Sequence, residues 1–238
     1  MNQEVVKKVL RQKADPDTAK HLKKFFKTEK GSYGENDIFL GIKVPVLRKI
    51  LKDYPLDLEN SAELLKSEFH EERFYALLNF CSLYNKGENS VKRKIVYNYY
   101  LKNTEYINNW DLVDVSAPVI TGDYFYNQKP EELKILKKLA KSYYLFDRRI
   151  AIVSMLYFVK NNELKSPLQI ADILIEDNED LINKAVGWVL RETGKKDSGL
   201  LIDYLDKNYD NLKRVTLRYA IEKFEKTKRK KFLKGDFK

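Results

Sequence analysis

Four stretches of this chain share a design that few folds accommodate: a polar or basic opening that runs into an apolar stretch. They are EERFYALLNFCSLY (71–84), DRRIAIVSMLYFVK (147–160), NKAVGWVLRETGK (183–195) and KRVTLRYAIEKF (213–224). The second of them is apolar nearly all round after its first turn, so it must be covered on opposite sides by packed neighbours. Between them lie helices of the ordinary amphipathic kind, EELKILKKLAKSYY (131–144), SPLQIADILIE (166–176) and SGLLIDYLDKNY (198–209). With 9 Gly and 6 Pro the chain has too few turn formers for a many-stranded β fold.

The spacing of the four segments is close to regular. Three carry a small residue three positions after a cation, Arg73 with Ala76, Arg148 with Ala151 and Lys184 with Gly187, whereas the fourth pairs Arg214 with Leu217. Measured at the cation the steps are 75, 36 and 30 residues, and the midpoint of the longest falls at position 110, which is Trp110. A period of roughly 30–40 with two helices per unit marks an α-solenoid of HEAT or armadillo type. The small residue would let the inner helix approach its neighbours closely. The expected architecture is therefore all-α: HEAT-like helical repeats forming a single curved domain over residues 1–238 with a basic concave face. A non-repeating helical bundle with chance similarity is the alternative.

Charge narrows the partners. The chain has 45 Lys and Arg against 35 Asp and Glu, a formal charge of +10, which favours polyanions, with nucleic acid ahead of an acidic membrane surface. No apolar run approaches the ~18 residues of a membrane span. The opening MNQEVVKKVLRQKADPD is too charged for a secretory signal, so a cytoplasmic protein is expected. Cys81, the lone cysteine, sits in ALLNFCSLY and reads as a small buried filler. With two histidines and one cysteine, no metal site and no cofactor are expected.

Two segments place an indole on a charged stripe. In INKAVGWVLRETGKK (182–196), Ile182, Val186, Val189 and Leu190 form one arc at 100° per residue, while Lys184, Trp188, Arg191 and Lys195 share the opposite stripe. Aromatic and basic groups together suit sugar, base and phosphate; a Trp buried by the next repeat with cations at its rim is the competing reading. In NNWDLVDVSAP (108–118), Trp110, Asp114 and Ala117 share a stripe beside the arc of Leu112, Val113, Val119 and Ile120, provided the helix survives Pro118. Asn108 or Asn109 is the expected N-cap, which puts Asp111 in the first turn where it complements the helix dipole. Asp114, one turn further in, reads either as a carboxylate facing something cationic or as a solubilising surface group.

In LFDRRIAIVSMLYFVK (145–160) only Asp147, Arg148 and Arg149 are expected to face water. The arginines either clamp phosphates or close a salt bridge to Asp147 or a neighbouring repeat. YGENDIFLGIKVPVLRKI (33–50) is punctuated by Gly34, Gly41 and Pro45, and is expected to be a loop feeding a helix that begins near Pro45. The basic tail over roughly 225–238 is expected to be frayed.

FLGIKVPVLR (39–48), NNWDLVDVSAP (108–118), FDRRIAIV (146–153) and KAVGWVLRETGK (184–195), in this order, resemble the DNA alkylation repair family, the HEAT-like-repeat DNA glycosylases of the AlkD type. The resemblance implies excision of cationic alkylated purines, chiefly 3-methyladenine and 7-methylguanine, from double-stranded DNA without base flipping, by a monomer. It implies Asp114 as the catalytic carboxylate, with Trp110 and Trp188 flanking the damaged nucleotide. It implies DNA contacts from Arg149 or Arg148, from Lys43 and from Arg191 and Lys195, to which the stripe adds Lys184. Phe146 stands where relatives often have a tryptophan, and nothing upstream of Phe39 is carried over, because GSYGEND (31–37) precedes it as an insertion. From another class, a HEAT-repeat scaffold or a DNA-binding protein without excision remains the alternative.

Overall fold

The computed structural model describes residues 1–128 and 133–236. The first two positions of the 131–144 segment and the last two of the basic tail lie outside the described residues. The chain divides into two compact units, Met1–Ile120 and Thr121–Lys238. The first holds α1 (Gln3–Arg11), α2 (Pro16–Phe25), α3 (Val44–Asp53), α4 (Leu58–Leu65), α5 (His70–Asn85), α6 (Ser90–Lys102) and α7 (Trp110–Ala117). The second holds α8 (Asp123–Tyr126), α9 (Leu133–Ala140), α10 (Leu145–Lys160), α11 (Lys165–Leu174), α12 (Asp180–Lys196), α13 (Ser198–Asn208), α14 (Arg214–Ala220) and α15 (Lys226–Lys234). Among the described residues there is no strand, only an isolated bridge between Ile38 and Phe69, and no helix is long and apolar enough to cross a membrane.

The all-round apolar helices are the inner ones, as their patterning requires. α5 packs against α3, α4, α6 and α7, and α10 against α8, α9, α11 and α12. Tyr75, Ala76, Leu77 and Phe80 on α5 and Ile150 through Val153 on α10 are fully buried. In the second unit α12 packs against both α10 and α14, with α11 and α13 also against it, so helical pairs stack through their inner members. Gly187 serves this contact: a Cβ there would lie 2.4 Å from Tyr219 Cβ and 2.7 Å from the Thr216 carbonyl on α14. The close approach expected of the small residue is thus present. Ile182, Val186, Val189 and Leu190 are all fully buried, as the periodicity of α12 indicated.

α5 and α10 begin with the same device, although their sequences, SEFHEER (67–73) and SYYLFDR (142–148), share little. Ser67 Oγ accepts from the Phe69 amide at 3.1 Å and donates to Glu72 at 2.6 Å; Ser142 Oγ accepts from the Tyr144 amide at 3.2 Å and donates to Asp147 at 2.8 Å. Arg73 Nη1 reaches back to the carbonyls of Ser67 and Glu68, and Arg148 Nη1 to those of Ser142 and Tyr143. Each arginine then pairs with an aspartate outside its helix, Asp37 or Asp177. The 75-residue step between these two cations is a structural repeat.

Three local expectations need adjustment. The helix opened by Trp110 passes Pro118 through a wide π turn, Pro118–Gly122, into α8; this loosened turn tolerates the missing Pro N–H. Ile120 is buried as expected, but Val119 is only half-buried. The basic tail, up to the described end, is not frayed. It forms α15, closed by Gly235 at φ 82° and pinned by Phe232, which is 1 % exposed against Phe224 and whose carbonyl accepts from Tyr209 Oη at 2.8 Å.

Candidate active site

The first unit contains a cavity of about 460 Å³, and its lining residues all come from that unit. Leu22, Phe25 and Phe26 from the end of α2, Phe39 and Ile42 from the following segment, and Phe74 and Val115 give it apolar walls; Trp110, Asp111 and Asp114 enter from α7. Trp110 and Asp114, four apart, rise one turn from each other on the same face of an eight-residue helix, so indole and carboxylate open onto one space. Both are half-buried. The indole stacks on Phe26 at 5.3 Å and 16° and meets the edge of Phe25 at 5.9 Å. Cys81 packs nearby in α5 as a buried filler, its thiol pushed up to about 12 by burial.

The start of α7 is fastened by charge. Asn109, fully buried, is the N-cap: its Oδ1 accepts from the Trp110 amide and its Nδ2 donates to Asp37 Oδ2, both at 2.7 Å. Asp37 also meets His70 Nδ1 at 3.1 Å and receives Arg73 Nη2 on its other oxygen. The second ring nitrogen of His70 lies 2.8 Å from Asp111 Oδ2. Asp111 therefore does more than complement a helix dipole; it joins α7 to α5. Burial pulls the His70 imidazole down, yet Asp111 and Asp37 outweigh it and push the group up to about 9. For Asp37 burial likewise acts upward, and the hydrogen bond from His70 and the charge of Arg73 hold the carboxyl below its ordinary value.

A second carboxylate shapes the segment carrying Lys43. Glu71 accepts from the amides of Leu40, Gly41 and Ile42 at 2.8, 2.7 and 3.1 Å, folding residues 40–42 against α5. Gly41 has φ 86°, and a Cβ there would sit 2.0 Å from the Asp15 carbonyl, so only glycine fits. This turn delivers Lys43, exposed on the cavity rim, as the N-cap of α3, which starts at Val44 with Pro45 next, as expected.

The remaining expected residues lie in the second unit. Arg148 pairs with Asp177, its Nε 2.7 Å from Oδ2, which is the neighbouring-repeat salt bridge that its sequence left open. Arg149, expected to face water, is 5 % exposed, and its Nη1 donates to the Leu181 carbonyl at 2.6 Å; packing of α10 against α12 draws it inward. On α12 Trp188 is half-buried. The cations of its stripe are paired: Lys184 with Asp180 at 2.6 Å, Arg191 with Glu192 and Glu222, and Lys195 with Glu192 at 2.8 Å. Sequence reading overlooked Asp37, His70, Glu71 and Phe26, and took Arg73 only as a repeat marker. The Ser-(x)4-Glu/Asp-Arg pattern shared by 67–73 and 142–148 was the one available signal, and it reached only Arg73.

Comparison with known proteins agrees with the fold and the motifs. A family profile described as DNA alkylation repair enzyme matches residues 6–224. No curated protein matches significantly. Among solved structures, a predicted DNA alkylation repair enzyme from Enterococcus faecalis superposes with a TM-score of 0.67 at 17% identity, covering 90% of this chain and 97% of that one. The smu.31 protein from Streptococcus mutans superposes with a TM-score of 0.54 at 20% identity, covering 90% and 98%.

Proposed function

The chain belongs to the DNA alkylation repair enzyme family, and from that membership we propose that it is a DNA glycosylase that releases cationic alkylated purines, 3-methyladenine and 7-methylguanine, from double-stranded DNA. The observation that carries this reading is the meeting of Asp114 and Trp110 on one aromatic-walled cavity. N3- or N7-alkylation leaves the purine positively charged and its glycosidic bond weak, so no leaving-group proton is required. What the reaction lacks is stabilisation of the sugar cation as the bond breaks. The Asp114 carboxylate, beside C1′, supplies it through space and orients the attacking water. The indole of Trp110 meets the charged nucleotide, a cation–π contact contributing about 0.5–2 kcal/mol.

The recess beside Asp114 is deeper than the plain surface that the sequence suggested. Its lining is chiefly Leu, Ile, Val and Phe, and a whole purine inside would leave hydrogen-bonding edges unpaired. That supports attack on a nucleotide that remains in the helix, with deoxyribose rather than base against the recess. Lys43, Lys184, Arg191 and Lys195 are assigned to the phosphates; Arg148 and Arg149, committed to Asp177 and to the Leu181 carbonyl, are left out of that set. Protein action on such a substrate needs no cofactor. Because the α12 cations already have carboxylate partners, phosphate must displace those partners. A scaffold that never binds DNA is the reading this pairing favours instead, and a flat salt dependence of duplex affinity would support it.

Methylated duplex DNA incubated with the protein, followed by chromatography of free bases, tests the proposal. Asp114→Asn is expected to slow release by on the order of 10²–10³ while duplex binding and its salt slope stay unchanged. Equal rates for the two proteins would remove Asp114 from the chemistry.

A further inference from the structure

His70 takes no part in the chemistry just described, yet it stands on the wall of the same cavity, 3 % exposed. Three pieces of chain meet at this point. Asp37 comes from the segment before α3, Asp111 from the first turn of α7, and the imidazole itself from the first residue of α5. Both ring nitrogens face carboxylate oxygens, at 3.1 and 2.8 Å. A neutral imidazole has one N–H and one lone pair, so either tautomer would set a lone pair against a carboxylate; the imidazolium donates to both. With Arg73 on Asp37 the cluster then holds two buried cations and two carboxylates. Without the histidine's proton it would hold one cation for two.

The rings continue the connection. Phe39 stacks on the imidazole at 4.7 Å, Phe26 lies 4.9 Å from it, and Phe26 stacks in turn on Trp110. A cation against aromatic faces is favourable where water is excluded. Trp110 is thus held twice, through its backbone by Asn109 and Asp37 and through its indole by Phe26. Asp114 follows Asp111 by three residues on a helix only eight long, so whatever fixes the rotation of the first turn fixes the carboxylate too.

We propose that His70 is a positioning residue: an imidazolium that ties Asp37 to Asp111 and thereby sets the bearing of Trp110 and Asp114 on the cavity. The charged groups around it are Asp37, Arg73 and Glu71 on its own side and Asp111 on α7, with Lys43 and Asp114 lining the same space. Glu71 is committed to the backbone amides of 40–42, which leaves Asp37 and Asp111 as the pair that responds to the imidazole. The raised affinity for the proton gives the sign: the tie is complete below the ordinary 6.5, and is lost as pH rises through about 9.

The inference rests on the glycosylase reading for its kinetic consequence but not for its structural one, and two measurements separate them. In single-turnover release from methylated duplex DNA, His70→Gln and Asp111→Asn are each expected to be slowed at least ~10-fold at saturating enzyme. Duplex affinity stays within about twofold, since no phosphate-binding cation is touched. The wild-type rate should fall as pH passes about 9, and that fall should be missing from His70→Gln. Wild-type rates for folded variants, or a loss that merely follows the unfolded fraction, would overturn the proposal.

The second measurement needs no activity. In a Trp188→Phe background Trp110 is the sole indole of the chain, and its emission reports the stack on Phe26. Adding His70→Gln is expected to shift that emission to the red. Raising pH through 9 should do the same to the chain that retains His70, which covers the case of a His70 variant that does not fold. An emission unmoved by both manipulations would overturn the proposal, whereas a shift without any base release in the wild type would refute the glycosylase reading alone.

Discussion

The start of α5 and the start of α10 are two copies of one construction put to different uses. In both, a serine hydroxyl closes the turn before the helix and donates to an acid, and an arginine folds back onto two carbonyls before pairing with a distant aspartate. The difference lies in the two positions just before the acid. At α5 they are His70 and Glu71; at α10 they are Leu145 and Phe146. The polar pair binds Asp111 and the amides of residues 40–42, whereas the side chains of the apolar pair have no hydrogen-bonding group. A repeat unit can therefore keep its capping frame while one copy acquires the groups that hold a cavity wall.

The comparison is sharpest at the arginines. Arg73 is 4 % exposed and bound to a buried aspartate, so Arg73→Ala leaves Asp37 buried with one cation fewer and is expected to cost about 3–5 kcal/mol in urea unfolding. Arg148 has a side chain 16 % exposed; its removal lets water reach Asp177, and about 1–2 kcal/mol is expected. Equal losses would mean that the two copies are energetically alike. Next in size, Glu71→Gln replaces an acceptor of three amide hydrogens with one that accepts less well, for about 1–3 kcal/mol. Hydrogen exchange at Leu40, Gly41 and Ile42 should accelerate most; unchanged protection there would separate Glu71 from the loop. The smallest effect concerns what the copies share. Ser67→Ala and Ser142→Ala should each cost about 1 kcal/mol, and a clear inequality between them would break the analogy of the frames.

How far the sequence reaches is visible in the same residues. The 75-residue step from Arg73 to Arg148 announced the repeat, and the small residue at Gly187 announced a close helix contact, because periodicity and side-chain size are local properties that packing must respect. The pairing of Trp110 with Asp114 was equally open to reading, since residues four apart on a helix share a face. Arg149 shows where that kind of reading stops. It was expected in water by its place in a first turn, and the carbonyl that draws it inward belongs to Leu181, 32 residues later. The tail is a similar case: its charge argued for fraying, and Phe232 with Tyr209 anchors it.

By itself the sequence determined the all-α class, the segments of α5, α10, α12 and α14 with the amphipathic helices α9, α11 and α13 between them, and the acid and indole on α7, all of which follow from spacing along one chain segment. Only the tertiary structure decided that Asp37, His70 and Asp111 meet, that Phe26 lies under Trp110 and that Arg191 meets Glu222. Those contacts join residues up to 84 apart in the chain, and the protonation and orientation they impose depend on distance in space, which no spacing along a single helix encodes.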